Sequence, residues 1–347
     1  MAVFLTLLLT LAFCAPAFAD SLAVKQAEAD RVQKQVNALN DKAEIASENY
    51  NAARIRYNKL NDKIHTMDRQ ISKLQKRQST LQTHLNTRAD EQYREGPLGF
   101  LSVLFSVRSF DDFQTTARIL QSLNEQDAAT VSELKAAKAE LNSARKTLVA
   151  ARIEAGHQKD AMQANADEVK NQLDARKHLL ASITSEIQGL MAQQIVQQAA
   201  AQQARTMATL LRSRAPSAGG IILGSGQPSS PKAAEAVYWA EKQLGKPYVW
   251  AAAGPDTFDC SGLMLWSYAK VGVNLTHYSG DQIHQGTSVS RSELQAGDLV
   301  FFGSPIHHVG MYCGGGNFIE APYTGTDVRI TPLSDRSDFA GACRPAR

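Results

Sequence analysis

Asp259-Cys260-Ser261-Gly262-Leu263-Met264-Leu265-Trp266-Ser267-Tyr268-Ala269 reads as a helix opened by a carboxylate and a thiol. Asp259 is placed to accept hydrogen bonds from the free N–H groups of the first turn. Cys260 is then the first helical residue, at the positive end of the helix dipole, where a thiolate is favoured. A lone cysteine before a helix is more often a small buried hydrophobe than a nucleophile, so a base has to be found for it.

The base is sought downstream. Gly297-Asp298-Leu299-Val300-Phe301-Phe302 and His308-Val309-Gly310-Met311-Tyr312-Cys313 read as strands, Gly314-Gly315-Gly316 as a turn, and Asn317-Phe318-Ile319-Glu320-Ala321-Pro322 as the return strand. A three-residue glycine loop pairs Cys313 with Asn317 and Gly310 with Glu320. Strand alternation then places His308, Gly310 and Glu320 on one face. Glu320 becomes the diagonal neighbour of His308, able to orient its imidazole, while Gly310 leaves the space between them open. His307 points to the opposite face. His277 and His284 fall in loops with no carboxylate placed against them, and Cys313 faces away from His308.

Upstream the pattern changes. Residues 1–19 form an apolar run ending in Ala17-Phe18-Ala19, which reads as a secretory signal cut before Asp20. The run lacks a basic n-region, so two alternatives stand: a start further upstream, or an uncleaved anchor. Beyond it remain Cys260, Cys313 and Cys343, of which two can pair in an oxidising compartment. No C-x-x-C pair supports a zinc site. The net charge of +3 comes with no clustered basic face and no phosphate-binding glycine loop, which argues against nucleic acid and nucleotide.

From Val32 the apolar and small residues step by four and three: Val36, Leu39, Ala43, Ala46, Tyr50, Ala53, Tyr57, Leu60, Ile64, Met67, Ile71, Leu74, then Leu81 and Leu85. That period marks a coiled coil. Leu120, Leu134, Leu141, Leu148, Ala155, Met162, Val169, Ile183 and Leu190 share a second register, which Asp127 and Arg176 interrupt. Between the two runs, Gly96-Pro97-Leu98-Gly99 ends the first helix. Phe100, Leu104, Phe105 and Phe110 make the tip of the hairpin unusually apolar; they either seal it or form a docking patch. Residues 213–231 are rich in Ser, Gly and Pro and read as a linker. The expected layout is a signal (1–19), a coiled-coil hairpin (20–212), a linker (213–231) and a compact domain (232–347). The fold class is α+β, a long antiparallel helical hairpin followed by helices packed on an antiparallel sheet.

Two resemblances add to this reading. Tyr93-Arg94-Glu95-Gly96 through Ser109-Phe110-Asp111-Asp112-Phe113 resembles the tip of the helical domains of bacterial division hydrolases and their activators. That resemblance implies docking on the extracytoplasmic loop of the membrane protein FtsX. Gly245-Lys246-Pro247-Tyr248-Val249-Trp250, Asp259-Cys260-Ser261-Gly262, His277-Tyr278-Ser279-Gly280-Asp281-Gln282, Gly297 to Phe302 and His308 to Tyr312 resemble, in order, the NlpC-type papain-like peptidoglycan endopeptidases. The resemblance implies a papain-like domain with Cys260 as nucleophile, His308 as base and Glu320 as the third polar residue. It implies Tyr248, with Ser261 and Ser279, in the substrate groove, and a D-γ-glutamyl to meso-diaminopimelate bond as target. Trp250-Ala251-Ala252-Ala253-Gly254 lacks the family's paired glycines. No metal or organic cofactor is implied. Cys313 and Cys343 are the candidate disulfide. The expectation is therefore a secreted wall hydrolase acting in cell separation, with a helical arm that blocks its groove until FtsX engages the tip. The competing expectation is a non-catalytic coiled-coil activator of another hydrolase.

Overall fold

The computed structural model describes residues 15–96, 107, 109–212 and 227–345. The signal region to residue 14, the tip residues Phe100, Leu104 and Phe105, and most of the linker lie outside them. The chain divides into two compact units, Met1–Ile55 with Asp160–Arg347, and Arg56–Lys159.

Three helices carry the coiled-coil sequences: α1 (Ala15–Glu95), α2 (Phe110–Ser182) and α3 (Ser185–Arg212). Gly96 ends α1 with φ +71°, a left-handed cap that glycine adopts without strain. Ser109 starts α2, its hydroxyl accepting the Asp112 N–H at 3.0 Å. Within the unit of residues 56–159, Met67 and Ile71 pack against Leu141 and Leu148. Arg152 bonds to Asp68, and Arg77 pairs with Glu133, so the helices run antiparallel there. Asp127, polar in an apolar register, faces Arg88 at 3.4 Å. Within the other unit, Ala29, Val32 and Val36 pack on Ile187 and Met191. The single register read from Leu120 to Leu190 breaks between α2 and α3. There the Thr184 hydroxyl accepts the Ile187 N–H at 3.4 Å and starts a new helix.

The C-terminal residues form α4 (Pro231–Glu241), α5 (Cys260–Ala269), the short α6 (Ser279–Gln282) and a six-stranded antiparallel sheet. Its strands are β1 (Thr287–Ser288), β2 (Leu299–Phe302), β3 (His308–Gly314), β4 (Asn317–Glu320), β5 (Arg329–Pro332) and β6 (Phe339–Arg344), in the order β1-β6-β2-β3-β4-β5. Leu263, Met264 and Tyr268 of α5 join Leu299, Phe301, Val309, Met311 and Ile319 in the main core. Val300, Phe302, Phe318 and Ala342 form a second layer on the other sheet face. Period-two alternation along each strand builds both layers.

The β3–β4 hairpin differs from expectation in one detail. β3 runs through Gly314, and Gly314 rather than Cys313 pairs with Asn317. The turn is two residues, Gly315 and Gly316, with φ of +63° and +79°. Positive φ at both central positions is what a tight hairpin requires. An irregularity between Tyr312 and Gly314 absorbs the extra residue, and Met311 pairs with Ile319 as expected.

Cys313 and Cys343 are both free and buried, which corrects the candidate disulfide. β2 lies between their strands. Two strand spacings of about 4.8 Å exceed the roughly 7 Å that a disulfide can span between Cα atoms. Their thiols donate instead to the carbonyls of Asn317 and Gln282.

Candidate active site

The loop before α5 sets the nucleophile candidate. Ala251 takes φ +59°, the left-handed conformation that the absent glycines would have supplied. The Asp259 N–H then reaches the Ala252 carbonyl at 2.8 Å. Asp259 caps α5 as its sequence suggests, accepting the Gly262 N–H at 2.6 Å, and Cys260 is the first helical residue. Gly262 cannot be larger: an added Cβ would lie 2.1 Å from the Ala252 carbonyl, 2.8 Å from Asp259 Oδ1 and 2.9 Å from His277 Nε2.

His277 corrects a further expectation. Its Nε2 lies 2.8 Å from both oxygens of Asp259, so a carboxylate is placed against it after all. The two residues are 18 apart in sequence, and no strand or helix period links them. His284 is exposed. His307 turns to the Pro305 carbonyl at 2.9 Å.

On β3, His308 is fully buried, and its Nε2 lies 2.8 Å from Glu320 Oε2. Glu320 Oε1 accepts from Arg329 at 3.1 Å and from Thr331 at 2.5 Å, which fixes the carboxylate plane. Burial alone would raise the Glu320 pKa, but the His308 hydrogen bond and charge outweigh it and hold the pKa at about 2. This leaves His308 Nδ1 as the ring nitrogen free to face the groove.

The sequence reading expected a helical arm across that groove but named none of the residues that fill it. α1 lays a polar face across it. Glu44 Oε1 stands 3.4 Å from His308 Nδ1. One helical turn on, Glu48 Oε1 accepts from the Ser261 hydroxyl at 2.6 Å and from the Cys260 thiol at 3.6 Å, and Glu48 Oε2 accepts the Ser279 N–H at 2.5 Å. Asn51 Nδ2 donates to Asp259 Oδ2 at 3.0 Å, and Arg54 bonds to His277 Nδ1 at 2.6 Å. Tyr50 meets Trp250 edge-on, with ring centroids 5.1 Å apart. From α2, Arg176 donates to the Thr324 carbonyl and lies over the Tyr323 ring. Its interruption of the apolar register is thereby explained. A signal for the α1 face was present: Asn40, Glu44, Ser47, Glu48 and Asn51 form one polar stripe at helical spacing on a segment whose seam holds mostly alanine.

This contact reverses the expected electrostatics of the thiol. Burial, then the charges of Glu48, Asp259 and Glu44, push Cys260 well above its ordinary value. Three carboxylates and desolvation outweigh one helix dipole. Burial also works against a charge on His308, but Glu44 and Glu320 overcome it and lift its pKa to about 9. Tyr248 is buried next to the thiol and pushed far up by burial and by Cys260. Closed by α1, the site holds a neutral thiol and an imidazolium clamped between two carboxylates.

Residues 245–338 match the model of the NlpC/P60 family. The peptidoglycan endopeptidase RipA of Mycolicibacterium smegmatis is 44% identical over 105 residues, 26% of this chain and 21% of that protein. The crystallised NlpC/p60 domain of the peptidoglycan hydrolase SagA is 37% identical, with 97% of it and 32% of this chain covered, at a TM-score of 0.31. The P60 domain of a Mycobacterium avium subspecies paratuberculosis antigen is 30% identical, with 96% of it and 33% of this chain covered, at a TM-score of 0.32. The chain spans less than half the length of the curated relatives it matches, from 18% to 44% among the first three.

Proposed function

We propose that this chain, whose residues 245–338 match the NlpC/P60 family, is a secreted peptidoglycan endopeptidase with Cys260 as nucleophile, His308 as base and Glu320 as orienting carboxylate. The observation that carries the reading is the set of positions itself: a thiol at the first residue of a capped helix, and a groove-facing imidazole held by a buried carboxylate. In the reaction, His308 Nδ1 takes the Cys260 proton and the thiolate attacks the amide carbonyl. His308 then passes that proton to the leaving amine, which departs and leaves a thioester. Water, deprotonated by His308, hydrolyses the thioester and restores the thiol. Free N–H groups at the start of α5 face the developing oxyanion.

The proposed target is the D-γ-glutamyl to meso-diaminopimelate bond. A γ-linkage leaves an α-carboxylate close to the scissile carbonyl. The Ser261 hydroxyl and the Ser279 N–H already hold one carboxylate beside Cys260, that of Glu48. Glu48 thus stands where the substrate's carboxylate would bind, which supports a closed resting form with α1 seated in the groove. Release is assigned to docking of the hairpin tip on the extracytoplasmic loop of FtsX during cell separation. Phe110 is 73% exposed and stacks on Phe113, as a docking patch would need.

Full-length Glu44→Ala/Glu48→Ala protein, incubated with soluble muropeptides and followed by mass spectrometry, should release diaminopimelate-containing fragments at least tenfold faster than wild type. Cleavage at another amide would reject the assigned bond. Phe110→Asp should weaken binding to the FtsX loop; unchanged binding would remove that partner contact.

A further inference from the structure

The α1 segment in the groove brings two carboxylates into a place that already holds two. Glu44, Glu48, Asp259 and Glu320 are each at most 5% exposed. The cations around them are committed elsewhere or shared. His308 of β3 serves both Glu44 and Glu320. Arg329 of β5 pairs with Glu320. Arg336, near Glu44 and Glu320, is bonded to Asp338, and His307 is a weaker neighbour of Glu44. Arg54 of α1 bonds to His277, which pairs with Asp259. Cys260 and Tyr248 complete the titratable neighbours. Among the described residues Glu48 has no ion-pair partner; its donors are Ser261, Ser279, Cys260 and Asn51, with the carboxylate of Asp259 beside it. Glu44 Oε1 has no hydrogen-bond partner among the described residues and stands 3.4 Å from His308 Nδ1.

We propose that seating of α1 in the groove is proton-coupled: the closed form holds more protons than the open one, so the groove closes as pH falls and opens as pH rises. The proposal rests on the closed resting form described above, and adds what opens and shuts it without a partner.

Glu44, Glu48 and the Cys260 thiol share one sign. Burial raises Glu44 in the closed form, and burial followed by the charge of Asp259 raises Glu48. On an undocked helix face both return to water and to ordinary carboxylate behaviour. His308 is pulled both ways, since opening relieves the burial that lowers its pKa and removes the Glu44 charge that raises it. The Cys260 thiol loses burial and the charges of Glu48 and Glu44 on opening. Glu44, Glu48 and Cys260 therefore each bind a proton more tightly closed than open. By linkage, one extra proton in the closed form changes the closing constant about tenfold per pH unit.

The test uses full-length protein, full-length Glu44→Ala/Glu48→Ala and full-length Glu44→Gln/Glu48→Gln. Each is treated with iodoacetamide from about pH 5.5 to about pH 8.5, and alkylation of the Cys260 peptide is timed by mass spectrometry. Dividing the wild-type rate by that of the alanine pair at the same pH cancels the thiol's own titration and reports the open fraction. This readout is independent of substrate identity. The ratio should climb with pH, by up to about tenfold per unit, while the glutamine pair, which keeps the shape without the titrating carboxyls, stays low with a much flatter slope. A wild-type ratio that is flat or falls with pH overturns the proposal, as does a glutamine pair that climbs as steeply as wild type. An alanine pair no faster than wild type at any pH overturns the closed form itself.

Discussion

At the scale of single residues, the site is a set of close fits around Asp259 and Glu320. Gly262 is glycine because the Asp259–His277 pair and the Ala252 carbonyl close on it. Gly262→Ala should cost about 1–3 kcal/mol of stability, seen as a lower midpoint in thermal denaturation, and should slow the opened enzyme. An equal midpoint would mean the loop yields freely. Glu320 is held at about 2, so its contribution is present above the ordinary 4.5 and is lost as pH falls toward 2. His308, lifted to about 9, contributes fully below its ordinary 6.5 and loses that contribution as pH rises through 9. The melting temperature should therefore be highest between about pH 4.5 and 6.5 and fall on both sides. Glu320→Gln should flatten both limbs; unaltered limbs would place the titration elsewhere. The Cys260, His308 and Glu320 positions were legible because each follows from a local rule, a cap or a strand alternation. The His277–Asp259 pair was not, because it joins two loops and no period connects them.

At the scale of elements, β3–β4 shows how a wrong detail can leave a right conclusion. The turn is shorter than read, and the irregularity at Cys313 returns the strands to the expected register before His308 and Glu320 are reached. α1 teaches the opposite lesson. Its heptad period was plain, and it predicted a partner helix along one seam. From Asn40 to Asn51 the helix is instead buried on its polar side as well. Periodicity reports which side is apolar; it does not report that a polar side has found polar partners in a groove. Arg176 belongs to the same scale, as an arm from α2 to the Thr324 carbonyl. Arg176→Ala should raise Cys260 alkylation in the full chain by a few-fold, less than the Glu44/Glu48 alanine pair does. No change would make this contact incidental to closure.

At the scale of the molecule, the Ser-Gly-Pro run at 213–231 reads as a boundary along the chain, while contacts group residues 1–55 and 160–347 together. Linker composition reports how freely the chain can move and is silent on which surfaces it allows to meet. The composition, charge and motifs gave the two-part layout, but not that the first part supplies Glu44 and Glu48 to the second. If a Cys260–His308–Glu320 site lies shut beneath α1, muropeptide hydrolysis should separate four full-length proteins: wild type, Cys260→Ala, Glu44→Ala/Glu48→Ala, and the alanine pair with Cys260→Ala added. Such a closed site gives slow cleavage by wild type, fast cleavage by the alanine pair, and none by either protein lacking Cys260. Cleavage by the triple variant at the rate of the alanine pair would contradict it.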